Sequence, residues 1–324
     1  MSKHSFWALV FAAIFFVVVP ASAQTYPAKP VRVIVPSSPG GVLDLLGRAL
    51  SQKLTDNLGQ PFVTELRPGA NNIIGTEIVA KSAPDGYTLL FVAAAAITIN
   101  PYVYERLPYD ARALTPVAMC CVMAQALVIN PSLKVNSLNE LIALAKSAPG
   151  KLSYGSIGAG SSSNLYMEGL KRSAGIDVVH VPYKGSAPAV TDLVGGRVSM
   201  MVVTLGVIQG HLSAGKLKAL AVGSPKRSPA YPDVPTASEA GLPGWNAEVW
   251  MGTFAAGGTP RDLVSRLSTE MMKVIFSPAF NDQVLKRNGF DLPPVTTPEQ
   301  FSDYVKNDMQ ASERIIRAAG IKLD

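Results

Sequence analysis

Residues that carry reactive chemistry are scarce in this chain of 324 residues, which holds two cysteines and three histidines. The cysteines, Cys120 and Cys121, are neighbours. Adjacent cysteines cannot bridge without distorting the peptide between them. Within the apolar run PVAMCCVMAQALVI they are expected to be small core residues of a strand rather than a redox pair. No cluster of His and Cys has metal-ligand spacing, so no metal site and no cofactor is expected. Charged residues make up only 16%, and the net charge of +6 is scattered. Without a basic run or a basic patch interleaved with aromatics, nucleic acid is not an expected partner. The nucleophile elbow G-x-S-x-G is missing. Gly210 to Lys216 (GHLSAGK) matches most of a P-loop, but Leu217 stands where the magnesium-binding Ser or Thr belongs. That segment also precedes a strand, whereas a P-loop follows one and opens a helix.

Long apolar runs are equally rare. The exception is Phe6 to Val19, 14 residues behind Lys3 and His4 and ahead of the small-x-small sequence Ala21-Ser22-Ala23. A membrane span needs about 20 residues, so residues 1–23 read as a secretory signal peptide cleaved after Ala23. An uncleaved anchor is the alternative. The mature chain then keeps 301 residues and a net charge of +5, since Lys3 is the only charge removed. That length is enough for two domains, and the expected location is the periplasm. A mild positive field helps to collect anions without choosing among them.

What the chain does have is alternation of strands and helices. VRVIV (Val31 to Val35) reads as a strand, and Leu43, Leu46, Leu50, Leu54 and Leu58 recur at helical spacing. Between them lies PSSPGGVLD, Pro36 to Asp44. Gly40 and Gly41 let a ligand approach backbone N–H groups at the positive end of a helix dipole, a place that binds anions. Alone, such a junction is more often an ordinary turn. A second one follows: KLSYGS (Lys151 to Ser156) reads as a strand, then come IGAGSSSNL (Ile157 to Leu165) and a helix to about Ala174. Serine hydroxyls and Asn164 suit a carboxylate and its waters; the plainer reading is a Ser N-cap.

Further strands are expected at Pro61 to Leu66, Tyr87 to Ala93, Val178 to Tyr183, Val198 to Val203, Lys216 to Ser224 and Trp250 to Ala255. This order means an α/β fold with mostly parallel sheets. AAAAITINP, with Thr98 and Asn100, is read as a loop at the sheet's carboxyl edge, where such folds bind ligands. Leu114 to Asn130, broken around Gln125, reads as a strand pair that crosses between domains. Ser137 to Glu140 is a capping box. Thr259-Pro260, Ser277-Pro278 and Thr297-Pro298 mark three helix starts near the C-terminus. His180, alone in its strand, is expected to be packed or hydrogen-bonded rather than a ligand.

The resulting division is residues 24–122 with 246–324 as one lobe and 123–245 as the other. The candidate ligand-binding residues are Ser38, Pro39, Gly40, Gly41 and Asp44 in the first loop, Ser156, Gly160, Ser161, Ser162 and Asn164 in the second, with Thr98 and Thr204. Two helix dipoles pointing into one cleft would hold a small carboxylate through N–H groups, hydroxyls and water, with no arginine needed.

Eight ordered segments carry a resemblance: YPAKPVRVIVPSSPGGVLD, ELRPGANNIIG, PDGYTLL, GKLSYGSIGAGSSSNL, VPYKGSAPAVTDLVGGRV, AGKLKALAV, PDVPTASEAG and AAGGTP. Over the whole mature chain they resemble the substrate-binding proteins of tripartite tricarboxylate transporters, the Bug family. The resemblance implies a two-lobed type II periplasmic-binding-protein fold that closes on a hinge. It also implies no catalysis, a small carboxylate or amino acid as ligand, and the large and small membrane subunits of such a transporter as partners. A monomer is expected. In that family the ligand carboxylate lies between a PGGxxD and a GSxxH loop, held by main-chain groups and bridging waters. Here these correspond to Pro39, Gly40, Gly41 and Asp44, and to Gly160, Ser161 and Asn164. The sequence departs from the pattern at Asn164, where histidine is usual, and at Ser37, Ser38, Leu66 and Ser199, which leaves the ligand's identity open. A sensory receptor would use the same binding chemistry, while an exported hydrolase would have only His180 or His211 as a base.

Overall fold

The computed structural model describes residues 26–228 and 231–323. The expected leader, residues 1–23, and its cleavage site lie outside the described residues. Among the described residues no helix is long and apolar enough to cross a membrane.

The first element, β1 (Val31–Val35), leads into helix α1 (Val42–Leu58), β2 (Phe62–Leu66), α2 (Ile73–Ala80) and β3 (Thr88–Ala93). Two helical turns, α3 (Ala95–Thr98) and α4 (Asn100–Val103), replace the expected loop. The alanines there favour helix once the chain has to turn off the sheet edge. Next come β4 (Thr115–Ile129), α5 (Leu138–Ser147), β5 (Ser153–Ser156), α6 (Ser162–Ala174), β6 (Val179–Pro182), α7 (Ser186–Val194), β7 (Met200–Thr204), α8 (Leu205–Ser213) and β8 (Lys218–Val222). The chain ends with β9 (Glu248–Ala255), α9 (Arg261–Ile275), the turn α10 (Pro278–Phe280) and α11 (Pro298–Ala319).

The strands order as β2-β1-β3-β9-β4-β7-β5-β6, with β8 also on β4. The fold is the two-lobed α/β arrangement expected, but its passage between lobes differs. Leu114 to Asn130 is not a strand pair: β4 is one strand of 15 residues that serves both lobes. Its first part, Thr115 to Ala124, pairs with β9, and its last part, Gln125 to Ile129, pairs with β7 and β8. Gln125 looks like a break because it is polar in an apolar run. Its side chain has a partner, since Gln125 Nε2 donates to Thr204 Oγ1 at 2.7 Å. Cys120 and Cys121 are free and fully buried in the same strand.

The return crossing is bonded to the outgoing one. Gln125 N–H donates to Ala247 O (2.8 Å), Gly223 N–H to Gln125 O (2.9 Å) and Ala247 N–H to Gly223 O (2.8 Å). A Cβ on Gly223 would lie 2.4 Å from Ala247 Cβ and 2.6 Å from Ala247 N, so only glycine permits this approach.

Strand direction sets where the loops lie. Strands β1 and β3 are parallel, and both β3 and β4 run antiparallel to β9. The carboxyl ends of β1 and β3 therefore point the way β4 leaves its first sheet. Strand β7 runs antiparallel to β4, pairing Thr204 with Gln125, and β5 is parallel to β7. The carboxyl ends of β5 and β7 point back to the same crossing. Loops β1–α1 and β5–α6 thus both open on the lobe boundary.

Each lobe buries its own apolar clusters. In the first, α1 and α9 cover one face of the sheet through Leu46, Leu50, Leu54, Leu267 and Met271. The other face holds Trp250, Phe254 and Phe301, with Trp250 and Phe301 edge to face at 5.3 Å. In the second lobe Leu138, Leu141, Tyr154, Met167 and Leu170 pack under α5 and α6. A smaller cluster joins the lobes: Ile99 and Val103 of the first meet Leu165 of α6 and Ile316 of α11.

Two helix starts depart from expectation. Thr259 does not cap α9; its hydroxyl donates back to Ala256 O at 2.7 Å. Ser277 and Thr297 do cap, accepting from Phe280 N–H and Gln300 N–H. Glu140 of the capping box accepts from Asn136 N–H at 2.7 Å, one residue before the Ser137 cap.

Replacing Gly223 by alanine should cost about 3 kcal/mol, as an overpacked backbone contact does. Gly210→Ala on α8, where no atom lies within 4 Å of the new Cβ, should instead raise stability by about 0.5–1 kcal/mol. Urea denaturation of both variants checks the contrast. At the crossing, burial, with the nearby Asp291 carboxylate adding to it, pushes the Glu248 carboxyl up to about 7. A raised acid favours the fold fully below its unfolded value, and that contribution is lost as pH rises through the folded one. Glu248→Gln should therefore flatten the fall in melting temperature of the wild type between about pH 4.5 and 7.

Candidate functional site

The two glycine loops share one construction. In the first, Gly40 is left-handed (φ 78°) and Gly41 is the extended N-cap of α1 (φ −73°, ψ 163°). In the second, Gly160 is left-handed (φ 70°) and Ser161 is the N-cap of α6 (φ −75°, ψ 163°). Gly41 N–H donates to Ser38 O at 3.2 Å, and Ser161 N–H to Gly158 O at 3.3 Å. The third helical residue then reaches back in each case: Gly40 N–H donates to Asp44 Oδ2 (2.9 Å), and Gly160 N–H donates to Asn164 Oδ1 (3.0 Å). Both helices begin from the same loop geometry.

That geometry decides which N–H groups stay free. The N–H groups of Gly40 and Gly41 are occupied within the loop. Among the described residues, those of Val42, Leu43 and Asp44 have no acceptor, as the first turn of a helix requires. In the second loop Asn164 N–H leans on Ser161 Oγ at 3.4 Å, and those of Ser162 and Ser163 have no acceptor. Glycine was the visible signal; the donors are the residues after it.

The side chains divide by role. Asp44 is buried; the Gly40 N–H holds its carboxyl below the usual aspartate range against the cost of burial, and Arg48 adds to the effect. This stabilisation is present above the ordinary aspartate range and is lost only as pH falls through the lowered value. Asn164, 2% exposed, also donates from Nδ2 to Tyr154 O–H (2.8 Å), which donates to Glu168 (2.6 Å). Ser161 Oγ donates to Gly158 O at 2.6 Å, and Ser163 Oγ accepts from Ile157 N–H at 3.0 Å. Ser162 alone of the three is half-buried with its hydroxyl engaged by no other group of the described residues. Ser38 contributes its carbonyl, and Ser37 Oγ donates to it at 3.0 Å.

Ser156 lies 2.7 Å from His180 Nε2, a distance typical of a nucleophile and its base. The pair does not have that form otherwise. Ser156 is fully buried and bonded to both Gly158 N–H and Gly158 O. His180 stacks on Tyr154 at 4.7 Å, no carboxylate of the described residues is hydrogen-bonded to it, and burial lowers its pKa against the opposing charge of Glu168. Ser156 shapes the loop.

Thr98 and Thr204 lie apart from this pattern. Thr98 is 1% exposed, donates to Ala94 O at 3.2 Å and sits beside Asp308 of α11, with no bond to either glycine loop. Thr204 is the N-cap of α8 at the crossing, holding Gln125. It lines a cavity of ≈ 540 Å³ with Val42, so the structure brings Thr204 beside the first loop's helix. Leu323 also reaches the second loop: its N–H donates to Val103 O (2.7 Å), and its Cδ1 lies 2.7 Å from where a Gly160 Cβ would be. Among the described residues no group of three or more His, Cys, Asp or Glu could hold a metal ion.

Exchanging the two back-reaching residues should show their difference. Asp44→Asn keeps an acceptor for Gly40 N–H and should change stability by less than about 1 kcal/mol. Asn164→Leu leaves Gly160 N–H and Tyr154 without a buried partner and should cost about 2 kcal/mol. Chemical denaturation at pH 7 measures both.

Comparison with known proteins agrees with this architecture. Residues 46–321 match the family model described as tripartite tricarboxylate transporter family receptor. BugT of Bordetella pertussis is 36% identical over 316 residues, covering 97% of this chain and 96% of BugT. Among solved structures, R. palustris Rpa4515 with adipate has a TM-score of 0.75 at 32% identity, covering 92% of this chain and 99% of that one. MatC from Rhodopseudomonas palustris with bound malate has a TM-score of 0.72 at 30% identity, covering 90% and 100%. This chain belongs to the tripartite tricarboxylate transporter receptor family, among the Bug proteins.

Proposed function

We propose that this protein is an extracytoplasmic solute receptor that captures a small carboxylate between its lobes and passes it to the membrane subunits of a tripartite tricarboxylate transporter. The observation that carries this reading is the matched pair of loops. Each ends a strand at the lobe boundary and offers the unpaired N–H groups of a helix start, Val42 to Asp44 and Ser162 to Ser163. Each helix end adds roughly half a positive charge. Two solved relatives hold adipate and malate.

In this reading Ser38, Pro39, Gly40, Gly41 and Asp44 shape the first half of the site. Ser156, Gly160, Ser161 and Asn164 shape the second, and Ser162 supplies a hydroxyl. Thr204 stands at the hinge side and Thr98 supports the fold beneath. The lobes, residues 24–122 with 246–324 and residues 123–245, move about the Gln125–Gly223–Ala247 ladder. In this reading residues 1–23 act as a cleaved leader and the mature protein works in the periplasm as a monomer. Catalysis has no support in the site: the Ser156–His180 pair is committed to loop structure, and the hydroxyls of Ser161 and Ser163 are bonded within the loop.

A thermal-shift screen of the mature chain, residue 24 onward, against mono-, di- and tricarboxylates and amino acids tests the reading. A ligand at one hundred times its Kd should add about 2.7 kcal/mol. Gly41→Val, whose Cβ would lie 2.6 Å from Ser37 Oγ and 3.3 Å from Ser38 O, should distort the loop, reduce affinity for the best acid at least about tenfold and lower the melting temperature without ligand. A panel in which only neutral compounds shift the midpoint, or a variant that binds as wild type, would reject the site.

A further inference from the structure

The segment behind α11 meets the second lobe at the loop that carries the free N–H groups. Helix α11 ends at left-handed Gly320, whose N–H donates to Ile316 O, as does that of Ile321 at 3.2 Å. The chain turns there, and Leu323 pairs with Tyr104 in a parallel bridge, its N–H donating to Val103 O at 2.7 Å. Tyr104 is itself held within the first lobe, its hydroxyl accepting from Asn71 Nδ2 at 3.1 Å. From this backbone the Leu323 side chain reaches Gly160: Cδ1, Cγ and Cδ2 lie 2.7, 3.2 and 3.7 Å from where a Cβ would stand. Further on, Gly169 of α6 leaves room of the same kind for Ile315 Cδ1, at 3.3 Å. Two glycines of the second lobe thus receive side chains of the first. Glycine is needed at position 160 twice, for its φ of 70° and for the space that Leu323 fills.

We propose that Leu323 is a positioning residue for the second glycine loop: seated on Gly160 from the first lobe, it fixes where the free N–H groups of Ser162 and Ser163 stand relative to those of Val42 to Asp44. Within its own lobe the loop is tied by Gly160 N–H to Asn164 Oδ1 (3.0 Å) and by Ser161 N–H to Gly158 O (3.3 Å). Those bonds hold the shape of the loop but not its distance from α1. Leu323 supplies a contact between lobes at the loop itself, and Ile99, Val103, Leu165 and Ile316 pack beside it. A loop ordered beforehand spares a ligand the entropy of ordering it. The use of this contact in binding rests on the carboxylate-receptor reading; the hold on the loop does not.

Hydrogen exchange of the ligand-free protein, residue 24 onward, tests the hold directly. Leu323→Ala should speed exchange across residues 157–165 at least about fivefold and leave β4 at its wild-type rate, as local opening does. Leu323→Met keeps the volume and should return the loop to within about twofold of wild type. Gly160→Ala tests the contact, because its strained φ is the same in both backgrounds. Its effect on loop exchange should be about threefold smaller beside Leu323→Ala than alone. Titration with adipate and malate then reads binding: whichever binds more tightly should lose about fivefold in affinity in Leu323→Ala and recover it in Leu323→Met. Wild-type loop exchange in Leu323→Ala, equal acceleration throughout the second lobe, additive effects of the two substitutions, or unchanged affinity would each overturn the proposal. If neither acid binds and a neutral compound does, the carboxylate reading falls, while accelerated loop exchange would still uphold the hold of Leu323 on the loop.

Discussion

The arrangement depends on keeping backbone hydrogen bonds satisfied where the chain passes between lobes. A passage made of loose loops would leave polar groups unpaired beside an apolar cleft, which is costly. Here β4 runs through without interruption, and Gln125, Gly223 and Ala247 form a ladder across the boundary. The direction of β4 then fixes the directions of β1, β3, β5 and β7 through their pairings. Both strand-to-helix loops open on the same boundary as a consequence. Gly223 is a tight point of this constraint, because its missing side chain lets Ala247 of the return crossing lie against it.

Given that placement, the two lobes use one device with two chemistries. A left-handed glycine donates its N–H to the third residue of the following helix, which holds the turn and leaves the next N–H groups free. The first lobe uses an aspartate, whose charge would oppose an incoming anion; Arg48 is paired with it. The second uses a neutral asparagine tied through Tyr154 to Glu168 and Lys171. An anion bound between the loops would thus be met by dipoles on both sides and, among the described residues, by no unpaired carboxylate of either loop. A histidine at position 164 could add a charge; asparagine leaves the second half to backbone and hydroxyl alone.

Much of this was legible in the sequence because glycine and apolar period are local signals. VRVIV-PSSPGG and KLSYGS-IGAG announce a strand followed by a turn, and the leucines behind Gly41 announce α1. Position along a sheet is not local, so the sequence suggested which loops matter without showing which N–H groups remain free. Gln125 read as a break, since its partner Thr204 lies 79 residues away. Helix α8 (LGVIQGHLS) was missed because two glycines and no capping hydrogen bond mark it. Thr259 resembled a cap but turns back to Ala256. Val207 carried no signal at all, because exposure is a property of the assembled surface. The legible part of the site was its turn chemistry, and the illegible part was its depth and lining.

The two sides of the boundary differ in a way that bears on closure. On the side of α6 and α11, Ile99, Val103, Leu165 and Ile316 are buried together, and Leu323 bonds to Val103 while touching Gly160. Apolar surface between the lobes is already removed from water there. On the side of α1 and α8, Val42 and Val207 remain exposed across the cavity. Apolar contact between the lobes is therefore made on the first side, while apolar surface at the boundary stays in water on the second.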